Sequence, residues 1–306
     1  MFVSPVWKVT ALAPRAAVTA ALLAHEDAAD WDVAIVIGGS EVAEDRPDEW
    51  RLEAWLPRAP APSDLATIAA LFGAAAPPLT SQELPATDWV TLSQEGLAPI
   101  REGPFHVRTP DHPAAAEAGV HAFVIPASTA FGTGHHATTA GCLAMLAAIK
   151  ARGATVRNFA DVGTGTGLLA FAALALWPRA LATASDIDPV CAGVVLDNAE
   201  ANGVALGARR GELTLAIAPG LDHPLLAARG PYDLIVANIL AGPLVELMPD
   251  FAAALVPRGH LVLAGLLTSQ EPAVRRAARR HGLRLAARLE RGDWSILWLR
   301  RRAPMR

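Results

Sequence analysis

Apolar and polar positions follow different patterns before and after about residue 76 of the chain. In the first part, the runs "VWKVTALA", "WDVAIVIGG" and "EWRLEAWLP" alternate as strands do, and residues 14–27 and 63–74 have helical spacing. The order strand, helix, strand, strand, helix is typical of a small α+β sandwich. We therefore predict a ferredoxin-like fold for this part.

The second part alternates apolar strand-like runs with helical segments. Apolar strands separated by helices predict an α/β fold in which a parallel sheet is covered on both faces. The final pair, "LRLAARLE" and "WSILWLR", is joined by "RGD" as a hairpin, so the last strand must run antiparallel to its neighbour. The other predicted strands are "VRNFADV", "LATASDID", "LTLAIA", "YDLIVANI" and "GHLVLAGL", with helices near 136–150, 167–176, 189–202, 242–255 and 270–281.

A Pro-rich stretch, "FGAAAPPLTSQELPATD", separates the two parts. We predict a small domain at residues 1–76, a linker at 77–120 and a larger domain at 121–306. A chain of 306 residues is long enough for this division.

Composition narrows the class of protein. The most apolar stretch of the larger domain is interrupted by Trp177, Pro178 and Arg179, which leaves a segment too short to cross a bilayer. The run "AAVTAALLA" near the N-terminus lacks a small-residue cleavage site and is predicted as an amphipathic helix rather than a secretory signal. The only cysteines, Cys142 and Cys191, lie in helical patterns, which predicts buried free thiols. We expect a cytoplasmic monomer without membrane association.

The net charge of −4 is unevenly distributed along the chain. Residues 1–100 hold five basic side chains against a longer series of acidic ones, whereas the chain from Arg275 onward is rich in arginine. An acidic N-terminal part disfavours nucleic acid there and would attract a basic partner. A solvated acidic surface is the other interpretation.

The motif "DVGTGTGLLA" places glycines, among them Gly163 and Gly165, between a predicted strand and a helix. Glycine lets the backbone turn sharply against a ligand, and the helix N-terminus offers free N–H groups. A P-loop is excluded because no Lys follows, but Gly165, Gly167 and Ala170 fit the looser dinucleotide fingerprint. Asp161 would repel a pyrophosphate and can accept hydrogen bonds from the ammonium of an amino-acid moiety, which favours S-adenosylmethionine over NAD.

Two further polar residues lie at the ends of predicted strands. Asp186 follows the loop by about 20 residues, where a carboxylate can bind the ribose hydroxyls of either cofactor, and Asp188 is predicted mainly to cap the next helix. Asn238 ends the fourth strand of the larger domain, where its side chain would point into the ligand cleft. Its amide oxygen can accept a hydrogen bond from an amine, as methyl transfer to nitrogen requires. An asparagine that only turns the chain is the alternative.

These motifs, with "AFGTGHHATTAGCLAML", "YDLIVANILAGPLVEL" and "PRGHLVLAGLLTSQ", resemble the catalytic part of the ribosomal protein L-eleven methyltransferases, the PrmA family. They cover most of residues 125–270 in order. The resemblance implies a class I, Rossmann-like methyltransferase domain that binds S-adenosylmethionine through Thr139, Gly163, Asp186 and Asn238, with Asn238 also meeting the incoming amine. It further implies methylation of lysine and N-terminal amines of a basic ribosomal protein presented by the small domain.

Several other functions remain open at this stage. The nearer alternatives are class I N-methyltransferases acting on another protein, a nucleic acid or a small molecule. An NAD-dependent oxidoreductase and a non-catalytic ribosome-assembly module are more distant. Amide and base methylators typically carry a proline-rich motif after the asparagine, where this chain has Ile239 and Leu240. We therefore expect a protein substrate, with no direct nucleic-acid contact needed.

The stretch "FGTGHHATTA" contains adjacent histidines, which raises the question of a metal site or a general base. Adjacent histidines on a turn rarely converge on one metal, and the sequence has no Cys/His/Asp cluster to complete a zinc site, so we predict none. As a base, His135 or His136 could only assist proton loss. We favour a cofactor lid in which Gly132 and Gly134 lie against the methionine end of the cofactor. Thr138 and Thr139, in the first turn of a helix, would offer their hydroxyls, and Thr139 is the candidate catalytic residue beside Asn238.

Overall fold

The computed structural model describes residues 6–26, 28, 31–32, 34–42, 46, 48–84, 99–113, 118–126 and 136–303. These residues form two compact units, one ending at Leu84 and the other beginning at Pro99. Each unit has its own sheets and its own apolar core.

The smaller unit is an antiparallel sheet with two helices. Its strand order is β2-β3-β1-β4, which is the ferredoxin-like arrangement and confirms the predicted type. The fourth strand pairs with β1 at the sheet edge and lies beyond the predicted domain boundary at residue 76. It was not predicted because the sequence around it is Pro-rich, which is unusual for a strand. The elements are β1 (Val6–Pro14), α1 (Arg15–Glu26), β2 (Val36–Glu41), β3 (Glu49–Leu56), α2 (Pro62–Ala70) and β4 (Leu79–Leu84).

Three short strands begin the larger unit and form a separate sheet in the order β5-β6-β7. Their apolar side chains join the main core of this unit, among them Phe105 and Phe123. The predicted linker at 77–120 therefore contributes strands to both units. The three strands of this sheet have only three or four residues each, which is too few to show a clear periodicity. The strands are β5 (Ile100–Glu102), β6 (Phe105–Arg108) and β7 (His121–Val124).

The main sheet of the larger unit confirms the predicted fold class. Its order is β10-β9-β8-β11-β12-β14-β13, with parallel pairs from β10 to β12 and with β14 antiparallel to both neighbours. The last strand is inserted between β12 and β13 instead of closing the sheet edge. The strands are β8 (Asn158–Val162), β9 (Leu181–Asp186), β10 (Leu213–Ile217), β11 (Tyr232–Asn238), β12 (Leu255–Leu267), β13 (Leu283–Arg291) and β14 (Trp294–Arg301).

Helices cover both faces of this sheet. The predicted helix over 242–255 is interrupted at Leu247, because Pro249 lacks an N–H and its ring would clash with the carbonyl of Val245 in a continuous helix. Helix α6 was not predicted, since six residues are too few to show helical periodicity. The helices are α3 (His136–Ala151), α4 (Leu168–Leu176), α5 (Val190–Ala201), α6 (Pro224–Arg229), α7 (Ala241–Glu246), α8 (Met248–Ala254) and α9 (Glu271–Arg280).

Two apolar clusters show which helices lie on which face. Side chains of α3, α4 and α5 pack on the face that carries Phe159 and Val236, and those of α7, α8 and α9 pack on the face that carries Ala160 and Ile235. The two cysteines are buried free thiols, as predicted. No helix in the described part of the chain is long and apolar enough to span a membrane.

Candidate active site

Three of the predicted site residues share one face and one edge of the main sheet. Asp161 in β8 pairs with Val236 in β11, which lies two residues before Asn238. On its other side Asp161 pairs with Ala184 in β9, which lies two residues before Asp186. Parallel partners, and residues two apart in a strand, point to the same side of a sheet. The three polar side chains therefore meet at the carboxyl edge, where open α/β sheets bind ligands.

The glycine loop is hydrogen-bonded to the neighbouring strand β9 and packs against the residue that follows Asn238. The N–H of Gly163 donates to the carbonyl of Ser185 at 2.8 Å. Gly163 has φ 70°, and a Cβ at this position would overlap Cγ2 of Ile239, so only glycine fits. The N–H of Gly165 donates to Asp186 Oδ2 at 2.8 Å, and no described residue comes within 4 Å of where its Cβ would be. Gly165 therefore faces open space beside the carboxylate.

Asp161 is buried with half of its hydrogen-bonding capacity unused. Its Oδ2 accepts hydrogen bonds from Thr164 Oγ1 at 2.6 Å and from the N–H of Ala170 at 3.1 Å. Its Oδ1 is buried without a partner among the described residues. Burial raises the pKa of Asp161 to about 7, and the negative charge of Asp186 adds to this effect against the two hydrogen bonds. The free oxygen suits a positively charged donor from outside the chain.

Asp186 and its neighbours form the turn after β9. Asp186 Oδ1 accepts from the N–H of Asp188 at 3.0 Å, so each carboxylate oxygen has one backbone donor and a lone pair left for a hydroxyl group. Asp188 Oδ1 accepts from the N–H of Val190 at 2.9 Å, which confirms its predicted role as a helix cap. Between the two acids, Ile187 is 71% exposed. Sequence reasoning missed this residue, although an apolar side chain between two acids at a strand end was a usable signal.

Asn238 is the last residue of β11, and its Oδ1 is buried without a hydrogen-bond partner in the described chain. An unsatisfied buried acceptor costs about 1–3 kcal/mol. An asparagine that served only to turn the chain would bond its own backbone instead. The orphaned oxygen therefore fits the interpretation that Asn238 receives an N–H donor from a ligand.

Helix α3 covers the same face of the sheet and carries Thr139 in its first turn. Thr139 is 4% exposed, and Cys142, three residues later on the same side of the helix, is close enough to Asp161 for that charge to add to burial in raising the pKa of the thiol. The Thr139 side of α3 therefore points toward the carboxyl edge. The predicted lid residues Gly132 and Gly134 lie outside the described residues, as do His135 and the side chain of His136.

A further positioning contact was not predicted. Asn202, which ends α5, accepts from the N–H of Val124 at 2.7 Å and donates to its carbonyl at 2.8 Å. This pair holds the end of β7, from which the chain continues toward "FGTGHHATTA".

The described residues contain no group of three or more His, Cys, Asp or Glu side chains arranged to hold a metal.

Comparisons with known proteins show the family of this chain. The family model of the ribosomal protein L11 methyltransferase (PrmA) matches residues 16–302. A ribosomal protein L11 methyltransferase of Rhizobium meliloti (strain 1021) is 44% identical over 224 residues, which cover 73% of this chain and 75% of that protein. One from Brucella suis (strain ATCC 23445 / NCTC 10510) is 42% identical over 221 residues, covering 72% and 75% respectively.

A solved structure extends the likeness to three dimensions. It is the ribosomal protein L11 methylase from Lactobacillus delbrueckii subsp. bulgaricus, which matches with a TM-score of 0.53 at 27% sequence identity. The match covers 65% of this chain and 94% of that one. The chain thus belongs to the ribosomal protein L11 methyltransferase (PrmA) family and is a methyltransferase.

Proposed function

We propose that this protein is a cytoplasmic, monomeric enzyme that transfers methyl groups from S-adenosylmethionine to amino nitrogens of ribosomal protein L11, on lysine side chains and on the N-terminal amine. The observation that carries the proposal is the buried Oδ1 of Asn238, at the carboxyl edge beside the glycine loop. This oxygen has no hydrogen-bond partner among the described residues. The names of the relatives from Rhizobium meliloti and Brucella suis support L11 as the substrate.

The residues at the carboxyl edge suit S-adenosylmethionine better than NAD. Asp161 Oδ1 would accept from the ammonium of the methionine moiety, whereas it would repel a pyrophosphate. Asp186 would accept from the ribose hydroxyls, Ile187 offers an apolar surface for the adenine base, and Gly163 and Gly165 let the backbone lie close. When bound, the cofactor supplies a methyl group on a positively charged sulfonium, which is a good leaving group.

The residues of this chain must favour the neutral form of the amine and orient its nitrogen. A lysine ammonium has a reference pKa of about 10.4 and must lose a proton before its nitrogen has a lone pair. Removal from water lowers the pKa of an amine, which favours the neutral form. Asn238 Oδ1 can accept one N–H and so set the direction of the lone pair. Because an amide oxygen is a weak base, it orients the amine while the released proton passes to water. Thr139, on the covering helix, would help to hold the cofactor end of this arrangement.

We also propose that the smaller unit recognises the substrate, since an acidic surface attracts a lysine-rich protein. Two of its few basic residues, Lys8 and Arg58, are already paired with Glu53, Asp32 and Asp64. The KM for L11 is expected to rise with salt concentration, while the KM for S-adenosylmethionine changes little. Equal salt dependence of the two constants would contradict this assignment.

The test is to incubate the purified protein with methyl-labelled S-adenosylmethionine and either L11, the other ribosomal proteins or ribosomal RNA, and to locate the label by mass spectrometry. We expect label on L11 amines. Label confined to RNA or to another protein would overturn the substrate, and tight NAD binding without any methyl transfer would overturn the reaction.

The matched variants for this test are Asn238→Ala and Asn238→Asp. The amine nitrogen gains positive charge in the transition state, and loss of a hydrogen bond to a charged group costs about 1.5–3 kcal/mol, so Asn238→Ala should lower kcat about 10- to 150-fold. Its affinity for S-adenosylhomocysteine should change much less. Asn238→Asp keeps an acceptor oxygen and should retain more activity than the alanine variant. Unchanged turnover in Asn238→Ala would remove Asn238 from the mechanism.

A further inference from the structure

The residue after Asn238 lies between two glycines, one in the glycine loop that follows β8 and one in β12. On one side is Gly163, in the glycine loop that we propose binds the cofactor (the cofactor loop). A Cβ at Gly163 would overlap Cγ2 of Ile239. On the other side a Cβ at Gly265, in β12, would overlap the carbonyl oxygen of Ile239 and lie 2.8 Å from its carbonyl carbon and 3.0 Å from its nitrogen. Ile239 therefore contacts Gly163 with its side chain and Gly265 with its backbone.

Gly265 lies at a β-bulge beside the candidate active site. In the pairing of β12 with β14, Leu263 faces Leu297 and Leu266 faces Ser295, so β12 has one extra residue between these pairs. Gly265 is at this extra position with φ 82°, which is a left-handed conformation that favours glycine. Its predecessor in β12 pairs with Asn238. Bulges next to active sites commonly redirect a neighbouring side chain.

The bulge is also connected to the helix that carries Thr139. Ile296 is the single residue of β14 between the two pairs that flank the bulge. A Cβ at Gly141 in α3 would overlap Cγ1 of Ile296 and lie 2.6 Å from its Cδ1. Two close glycine–isoleucine approaches thus flank the bulge, one reaching α3 and the other reaching the chain after Asn238. The three segments with proposed cofactor or amine contacts are fixed to one another by packing.

We propose that Ile239 is a positioning residue of the methyl-transfer reaction, held between Gly163 and Gly265 so that it sets the direction of the Asn238 amide relative to the cofactor loop. This inference rests on the proposed function. Ile239 touches neither cofactor nor amine in this role; it acts through Asn238 on one side and through Gly163 on the other. Gly265 contributes to the same positioning, because its lack of a side chain leaves room for the Ile239 backbone.

The two contacts predict different effects when they are changed. Gly265→Ala would push the Ile239 backbone, and Asn238 with it; the three atoms nearest the new Cβ all belong to Ile239 and none to the cofactor loop. Since a displacement on the order of 1 Å can cost about 100-fold in rate, kcat should fall by about that factor with little change in S-adenosylhomocysteine affinity. Ile239→Ala removes Cγ2 and should lower both kcat and that affinity. Ile239→Val keeps this methyl group and should retain both.

The experiment measures kcat for methylation of L11, affinity for S-adenosylhomocysteine by calorimetry and the urea unfolding midpoint for each variant. Gly292→Ala is the matched control, because Gly292 also has a left-handed φ, 58°, but no described residue lies within 4 Å of where its Cβ would be. It reports the backbone cost alone and should retain kcat. If Gly265→Ala does not fold, the pair Ile239→Val and Ile239→Ala gives the answer.

The expected pattern is a loss of kcat in Gly265→Ala and Ile239→Ala with near-normal values in Ile239→Val and Gly292→Ala. Equal kcat in wild type and Gly265→Ala, or equal losses in the two Ile239 variants, would overturn the positioning role. Wild-type protein that methylates no amine would instead overturn the proposed function. The two failures are therefore distinguishable, because only the second affects the unsubstituted protein.

Discussion

Replacing Asp161 by asparagine tests whether the buried carboxyl group costs the folded protein stability when it is ionised. Asp161 is 1% exposed, and burial raises its pKa from 3.8 to about 7. The folded protein therefore holds this proton more tightly than the unfolded chain does. The resulting stability is fully present below pH 3.8 and is lost as the pH rises through 7.

The pKa difference fixes the size of the effect. A rise of about 3 units corresponds to about 4 kcal/mol in total, of which about 2.5 kcal/mol is lost between pH 5 and pH 8. Asparagine does not titrate, and its oxygen can still accept from Thr164 and Ala170. Its amide nitrogen would take the place of Oδ1 and remain unpaired, at a cost of about 1–3 kcal/mol at every pH. The wild-type advantage at pH 5 should therefore shrink or reverse by pH 8.

The assay is urea unfolding of wild type and Asp161→Asn, followed by circular dichroism at several pH values from 5 to 8. The difference between the two free energies isolates Asp161, because other groups such as His260, whose pKa burial lowers to about 4, titrate in both proteins. We expect this difference to change by about 2.5 kcal/mol over the range. A difference that stays constant with pH would refute the argument.

Three further variants test other contacts. Asp186→Asn should weaken S-adenosylhomocysteine binding about 10- to 150-fold by calorimetry, as expected for loss of a charged acceptor, whereas Asp188→Asn should weaken it little. Thr139→Val should lower kcat and Thr139→Ser retain it; equal rates in the two would exclude a role for the hydroxyl. Glu271→Gln should lower the free energy of unfolding by about 1.5–3 kcal/mol, because Glu271 is buried and accepts charged hydrogen bonds from Arg275 and Arg288 beside one from Ser295. An unchanged urea midpoint would contradict this last prediction.

Sequence reasoning predicted the features that depend on local patterns of residues. The parallel strands of the main sheet are mostly apolar runs, and Asp161, Asp186 and Asn238 each lie at or next to the carboxyl end of one. Because parallel strands place their carboxyl ends on one edge, three separate strand ends were enough to predict one site. The glycine loop was equally visible, since the three loop glycines with left-handed conformations stand at alternate positions within five residues, Gly163 to Gly167.

The features that were missed depend on pairing between distant segments. Strand β4 is recognisable only through its partner β1, and the place of β14 between β12 and β13 follows from register, which no local periodicity encodes. The bulge at Gly265 exists because Leu263 and Leu266 pair with Leu297 and Ser295 across the sheet. In the sequence, "LVLAGLL" is an apolar strand that happens to contain a glycine.

The contacts around Ile239 bear on how a site of this kind can work. A reaction with a good leaving group and no strong acid or base depends mainly on the direction from which the amine approaches. The backbone sets this direction. Steric contacts fix the backbone at Asn238 against the loop after β8, against β12 and, through Ile296, against α3. Small residues outside the cofactor loop, Gly141 and Gly265, thus belong to the machinery as much as Gly163 does. Their absence of a side chain is the property on which the geometry depends.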